Sequence, residues 1–213
     1  MAITTKHRYI NEYPIKKTDK HLILGTIHPD KTNEELDFFY GNARTFWDLL
    51  SNATNLKFDT LDNITTTLSS NNIAISDMIL ECERANESVT KDSELFNLKL
   101  NDEIKNQILD SDIETIFFTS SFNKNNAAKL FFDRFNLKTQ IPEDWKNNYE
   151  FDIVIEAKKI KCVILISPSG SANIGISKSK LYNKYIDKYS QFKTPVKQFK
   201  IDFYKYKFSS VFN

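Results

Sequence analysis

Glycine and cysteine are both scarce in this 213-residue chain, and each scarcity excludes a class of site. The four glycines are scattered, so the sequence contains no glycine-rich loop of the kind that cradles phosphates. Two cysteines, Cys82 and Cys162, are too few for a disulfide framework or a cysteine-rich zinc site, and they favour a reducing, cytoplasmic setting. No histidine has a partner at metal-ligand spacing, so we expect no metal.

Long apolar runs are absent as well. No run of about 18 apolar residues occurs, and the first twenty residues are polar and charged, so we expect neither a membrane partner nor a cleavable signal. The remaining composition, with 40% hydrophobic and 13% aromatic residues, is typical of a globular protein. The length predicts a single domain over residues 1–213.

The net charge of +1 hides an asymmetry between two segments. Residues 177–207 contain nine lysines and two aspartates, whereas residues 77–114 contain eleven acidic and four basic side chains. A basic stretch interleaved with tyrosines is suited to contact a phosphate backbone. A solvated helix face accounts for the same lysines equally well, and this alternative stays open.

Apolar runs and helical periodicity alternate along the chain. Strands are predicted at 22–24, 73–75, 113–119, 151–155 and 162–166, the fourth of them at an edge or in a hairpin. Helices are predicted at 101–109, 125–135 and 176–189, with a helical turn at 82–84, while 198–212 fits either state. This alternation favours an α/β fold in which helices cover both faces of a mostly parallel sheet.

Two polar loops each follow a buried strand. Residues 25–29 (Gly-Thr-Ile-His-Pro) follow the first strand, and residues 167–173 (Ser-Pro-Ser-Gly-Ser-Ala-Asn) follow the last. Loops at the carboxyl ends of strands meet in one crevice in open α/β sheets, so we expect the two loops to form two walls of one site. The second loop offers hydroxyls and unpaired amides to an anion or a polarised carbonyl, although its serines also suit a helix cap.

These segments, in this order, resemble motifs of the uracil-DNA glycosylase superfamily, most closely its mismatch-specific and hypoxanthine-DNA glycosylase branches. Residues 25–29 are similar to the first motif, in which a glycine and a proline bracket the residue that orients water. The other similar segments are Phe39-Tyr40-Gly41-Asn42 running to Phe46-Trp47, the block Asp77 with Cys82-Glu83-Arg84 and Ser88, and residues 167–173.

The resemblance implies a three-layer αβα fold with a mostly parallel central sheet. It implies a monomeric DNA glycosylase of DNA repair, which extrudes a deaminated base, uracil or hypoxanthine, from DNA and hydrolyses its N-glycosidic bond. In such enzymes a held water attacks the sugar while hydrogen-bond donors stabilise the departing base. No metal or organic cofactor is needed for this reaction.

By position, the resemblance also implies residue roles. His28 stands where the superfamily often has an aspartate or asparagine that orients water, and Asn42 is the amide nearest to an asparagine missing before Phe46. For Ser167, the resemblance implies that it stabilises the departing base. The implied base-binding residues are Thr26, Ile27, Phe39, Tyr40, Ser169, Ser171 and Asn173, and the implied DNA-binding residues are Lys178, Lys180 and Lys184.

Alternatives remain for these residues and for the whole chain. His28 also suits a loop-packing role, Asn42 a turn after Gly41, and Phe39 the core. A second hypothesis is a superfamily relative that binds a base or nucleic acid without turnover, because the asparagine expected before Phe46 is absent. A third is an unrelated hydrolase or transferase that acts on a small phosphorylated metabolite, which a narrow pocket would favour.

Overall fold

The computed structural model describes residues 2–30, 36–41 and 45–212, so Asn42 lies outside the described residues. The strands are β1 (Ile3–Lys6), β2 (His21–Gly25), β3 (Ile73–Asp77), β4 (Ile79–Arg84), β5 (Phe96–Leu100), β6 (Thr115–Phe118), β7 (Glu150–Ile155) and β8 (Lys158–Ile164). The α-helices are α1 (Thr45–Thr54), α2 (Leu61–Ser70), α3 (Ile104–Leu109), α4 (Ala127–Arg134), α5 (Asn173–Ser177), α6 (Lys180–Lys184), α7 (Ile186–Ser190) and α8 (Pro195–Lys207).

The larger sheet has five strands in the order β3-β2-β6-β8-β7. The strand β2 pairs in parallel with β3 and β6, and β6 pairs in parallel with β8. The edge strand β7 pairs antiparallel with β8, which confirms the predicted edge hairpin. Four strands therefore point their carboxyl ends toward the same edge of the sheet, where Gly25 of β2 lies opposite Asp77 of β3.

Both faces of this sheet are buried. Along β2, Ile23 faces one hydrophobic cluster, while Leu22 and Leu24 face another. The first cluster includes side chains of α1, α2 and α8, and the second includes side chains of α3 and α4. The predicted α/β class is confirmed, with mixed sheets and helices in an arrangement compatible with three layers.

The smaller sheet is antiparallel, in the order β1-β4-β5. The helical turn predicted at 82–84 is wrong, because these residues belong to β4 and pair with β1 on one side and β5 on the other. Such pairing with distant segments overrides local preference. It also places Arg84, only 1% exposed, beneath the loop that follows β2.

The C-terminal region packs as short helices. The helix predicted over 176–189 is divided into α5, α6 and α7, and α6 begins where the Ser179 hydroxyl accepts the Tyr182 N–H. Residues 195–207 form α8, whose buried Tyr204 donates its hydroxyl hydrogen to the Ile166 carbonyl at 2.9 Å. Among the described residues, no helix has the length and apolar character needed to cross a membrane.

Candidate active site

A cavity of about 180 Å³ opens at the carboxyl edge of the larger sheet. Its volume is below that of clefts that enclose drug-sized ligands, so it suits one small ring system. Both predicted loops contribute to its wall. The lining residues are Tyr9, Thr26, Ile27, His28, Pro29, Phe38, Tyr40, Gly41, Asp77, Asp92, Thr119, Ser120, Ser167 and Pro168.

Asp77, at the end of β3, is held by a histidine from the N-terminal segment. The His7 Nδ1 atom accepts the N–H groups of Tyr9 and Ile10, at 3.1 and 3.3 Å, so its Nε2 atom carries the hydrogen. That hydrogen is donated to Asp77 Oδ2 at 2.8 Å. The other carboxylate oxygen, Oδ1, is buried and has no hydrogen-bond partner among the described residues.

A buried oxygen without a partner is costly and marks a place where water or a ligand donates a hydrogen bond. Asp77 lines the cavity, and its Oδ1 atom is a buried acceptor that no described residue satisfies. A carboxylate in this position is suited to accept a proton from water.

Gly25 is required because Tyr40 and Asp77 occupy the space beside it. A Cβ atom at Gly25 would lie 2.0 Å from the Tyr40 hydroxyl oxygen and 2.2 Å from Asp77 Oδ1. The Tyr40 hydroxyl pairs with Thr119 Oγ1 at 2.8 Å, and Thr119 in turn donates to the Leu24 carbonyl. Tyr40 also has a φ of 56°, a left-handed conformation that is strained for a bulky residue and typical of functional sites.

Asp92 supplies a second carboxyl group to the cavity. The Thr26 hydroxyl donates to Asp92 Oδ2 at 2.9 Å, and Thr26 Oγ1 lies 3.1 Å from the Ser120 hydroxyl oxygen. The Ser120 oxygen accepts the N–H of Ala127 at the start of α4. Burial, together with the charge of Asp77, raises the pKa of Asp92 to about 6. Asp92 therefore holds a proton at higher pH than an ordinary aspartate.

His28 lines the cavity, but backbone groups occupy both of its ring nitrogens. Its Nδ1 atom lies 2.6 Å from the Pro29 carbonyl oxygen, and its Nε2 atom accepts the Arg8 N–H at 3.2 Å. Burial lowers the pKa of His28, so the neutral ring is favoured. The Arg84 guanidinium donates to the His28 carbonyl oxygen at 2.9 Å. These bonds fix the loop and leave neither ring nitrogen for a water molecule.

The aromatic residues divide between core and cavity. Phe39 is 1% exposed, packs in the hydrophobic core and is absent from the described cavity lining. Its carbonyl oxygen accepts the indole N–H of Trp47 at 2.8 Å, which ties this turn to α1. The rings at the cavity wall are those of Tyr9, Phe38 and Tyr40.

Only the beginning of the second loop reaches the cavity. Ser167 lines it, whereas Ser169 and Ser171 are exposed and bond to each other at 2.7 Å between hydroxyl oxygens. Ser169 also caps the short helical turn that follows. Asn173 lies outside the described lining, and its buried Oδ1 has no partner among the described residues.

A buried lysine fixes the position of this second loop. Lys200 on α8 is 3% exposed and donates from Nζ to the carbonyl oxygens of Ser169 and Pro168, at 2.8 and 3.3 Å. Burial lowers the pKa of Lys200 to about 8. The predicted DNA-binding lysines, Lys178, Lys180 and Lys184, are instead exposed and lie outside the cavity.

Sequence reasoning gave no role to the two groups that complete the carboxylate site. His7 lies in a polar segment without a pattern, and Asp92 lies in a short helical turn, Asp92–Glu94. Asp77 is the last residue of the buried strand β3, and this position at a strand's carboxyl end was the signal that could have identified it. Within residues 2–30, 36–41 and 45–212, no three His, Cys, Asp or Glu side chains cluster as metal ligands.

Comparisons of the chain with protein-family models, with curated proteins and with solved structures gave no match.

Asp92→Asn is expected to raise the stability of the protein at neutral pH. The pKa of Asp92 is about 6 in the folded state against 3.8 when unfolded, so the folded state binds this proton more tightly. The wild-type free energy of unfolding therefore falls as pH rises from about 4 to 6, by up to about 3 kcal/mol in total, and stays reduced above that range. Asparagine has no ionisable carboxyl group, so the variant does not undergo this loss of unfolding free energy.

Urea unfolding of both proteins between pH 4 and 8 measures the effect. The exposed Asp144→Asn serves as the control for loss of one carboxylate. A variant at position 92 with the same stability and the same pH profile as the wild type would show that this carboxyl group is not buried as described.

Proposed function

We propose that this protein hydrolyses the N-glycosidic bond of a deaminated base, uracil or hypoxanthine, in DNA. The observation that supports the proposal most is Asp77, which lines a cavity sized for one ring system: its Oδ2 atom accepts the His7 hydrogen, and its Oδ1 atom has no partner among the described residues. We further propose a three-layer αβα fold with a mostly parallel central sheet, like that of the uracil-DNA glycosylase superfamily, and a monomeric protein acting in the cytoplasm.

In the proposed reaction, Asp77 takes the role that the resemblance gave to His28. A water molecule in the cavity donates a proton to Asp77 Oδ1, and its oxygen forms a bond to C1′ of the sugar. The bond from C1′ to the ring nitrogen breaks, and its electron pair leaves with the base. Asp92 donates a proton to the departing base. The raised pKa of Asp92 suits that residue to donate a proton, and the unpartnered Oδ1 atom of Asp77 suits that residue to accept one.

The remaining lining residues are assigned to the base. The rings of Phe38 and Tyr40 offer surfaces on which a planar base packs, and the Ser167 hydroxyl offers a donor to a carbonyl oxygen of the base. Thr26 keeps Asp92 oriented. A base enters this cavity only after it leaves the duplex stack, which costs a few kcal/mol and favours weakened pairs.

The acidic cavity argues against the third hypothesis from the sequence. Two aspartates line it, and no lysine or arginine stands among the described lining residues. A phosphorylated metabolite would meet negative charge in this cavity without a neutralising cation. DNA phosphates are instead proposed to contact the lysine-rich surface that carries Lys178, Lys180 and Lys184, outside the cavity.

The test is a cleavage assay with duplexes that carry uracil or hypoxanthine opposite each normal base. The proposal predicts abasic sites, visible as strand breaks after alkali, in at least one duplex and with a metal chelator present. A protein that is folded by circular dichroism but leaves every duplex intact would contradict it.

One observation favours the second hypothesis, binding without turnover. Both ring nitrogens of His28 are bonded to the backbone, so the residue in the water-orienting position of the resembling motif cannot do that work. This hypothesis predicts tight binding to abasic or modified DNA with no free base released. The same duplexes, examined by binding and by cleavage, separate the two hypotheses.

A further inference from the structure

A second concavity, of about 490 Å³, lies on the C-terminal helices and away from the carboxylate cavity. Side chains of α6, α7 and α8 form most of it, and Asn147 and Asn148 form one end. Its floor is aromatic, with buried Phe199 and Phe203. We call it the aromatic groove.

Two tyrosines at the aromatic groove expose unusually large ring surfaces. Tyr206 is 69% exposed and Tyr185 is 43% exposed, although both are large apolar rings that normally bury more of their area. Each ring has an ammonium group beside it, Lys207 Nζ at 5.2 Å from the Tyr206 centroid and Lys184 Nζ at 5.4 Å from the Tyr185 centroid.

The two lysines among the described residues of the aromatic groove, Lys188 and Lys207, each pair with a carboxylate, while the segment around them is rich in lysine. Asp202, the acidic residue among the described lining residues, accepts hydrogen bonds from Lys188 at 2.6 Å and from Tyr189 at 3.1 Å, which compensates its charge. The segment that forms most of the groove, residues 177–207, carries seven more positive than negative charges. Exposed rings combined with surrounding lysines and a pair of side-chain amides are the features of surfaces that bind single-stranded nucleic acid.

We propose that the aromatic groove binds an unpaired nucleotide of a nucleic acid strand. The base stacks on Tyr206 and Tyr185, Asn147 and Asn148 at the groove meet the base edge, and exposed lysines contact the flanking phosphates. This site is distinct from the carboxylate cavity, and it rests on the proposed function only in taking nucleic acid as the partner. Through this site the protein binds a nucleic acid strand even where the strand contains no damaged base.

The test measures binding of an undamaged, fluorescently labelled oligothymidine by anisotropy. The variant Tyr185→Ala/Tyr206→Ala is expected to bind about tenfold more weakly or worse, because stacking on aromatic rings is lost. Tyr185→Phe/Tyr206→Phe keeps the rings and is expected to bind like the wild type. The slope of affinity against salt is expected to change little in both variants, because the lysines remain.

Phe96→Ala, which removes a 39% exposed ring on β5, is the control for loss of an exposed aromatic side chain elsewhere. Equal affinity of the alanine double variant and the wild type would overturn the proposal. So would a change in oligomeric state without a change in DNA affinity, because the groove would then bind a second copy of this chain. Because the assay uses undamaged DNA, the binding result can be interpreted even if the protein releases no damaged base.

Discussion

Asp77→Asn is expected to reduce base release by about a thousandfold while leaving the fold intact. General base catalysis contributes about 10²- to 10⁴-fold to rate, and an amide cannot accept the proton of the attacking water. The His7 Nε2–H group now donates to Asp77 Oδ2, at 2.8 Å. In the variant it selects the amide oxygen, which leaves an NH₂ donor where the wild type has a free acceptor.

Single-turnover base release from duplex DNA measures this effect, with urea unfolding as the measure of stability. His28→Ala separates the roles of the two residues. We expect His28→Ala to lower the free energy of unfolding, because the backbone groups of Arg8 and Pro29 lose their partner. Asp77→Asn is expected to lower chiefly the rate of base release. The assignment made from the structure would be reversed by two results together. Asp77→Asn would release base at the wild-type rate, and His28→Ala would lose base release at unchanged stability.

Gly25→Ala is expected to reduce base release by about a hundredfold or more, although it adds a single methyl group. That group would lie 2.0 Å from the Tyr40 hydroxyl and 2.2 Å from Asp77 Oδ1, so both must move. Displacement of catalytic groups by about 1 Å can cost about 100-fold in rate. Overpacking of this kind costs about 1–3 kcal/mol in stability as well.

The chain contains its own control for this substitution. A Cβ atom at Gly175, in α5, would meet no described atom within 4 Å, so Gly175→Ala is expected to leave base release unchanged. Alanine also favours a helix over glycine, so its stability is expected to be equal or slightly higher. If Gly25→Ala behaved like Gly175→Ala in rate and stability, the close approach of Tyr40 and Asp77 to β2 would be contradicted.

The strands of the larger sheet could be predicted from sequence because strands buried on both faces are continuous apolar runs. Residues 22–24 and 73–75 are such runs, and each forms a parallel strand. The strand β4 could not be predicted, since its Cys-Glu-Arg sequence has no clear alternation and its pairing with β1 joins residues about eighty positions apart. The break between α5 and α6 depends on local capping by Ser179, which periodicity does not reveal.

The walls of the site could be predicted, but its chemistry could not. Residues 26–29 and Ser167 follow strands whose carboxyl ends meet, and they do line one cavity. His7 reaches Asp77 only because β1 pairs with β4, a contact that no local pattern encodes. The position of His28 beside Pro29 resembles a catalytic motif. The structure shows that both of its ring nitrogens form hydrogen bonds with backbone groups.

The proposed mechanism requires water held at Asp77 to attack the sugar of an extruded base. Its most direct test is base release from deaminated DNA in oxygen-18-labelled water, with products analysed by mass spectrometry. We predict an unlabelled free base and one labelled oxygen on the abasic sugar, with both products lost in Asp77→Asn. Label in the base, or no base released by the folded wild-type protein, would contradict this mechanism.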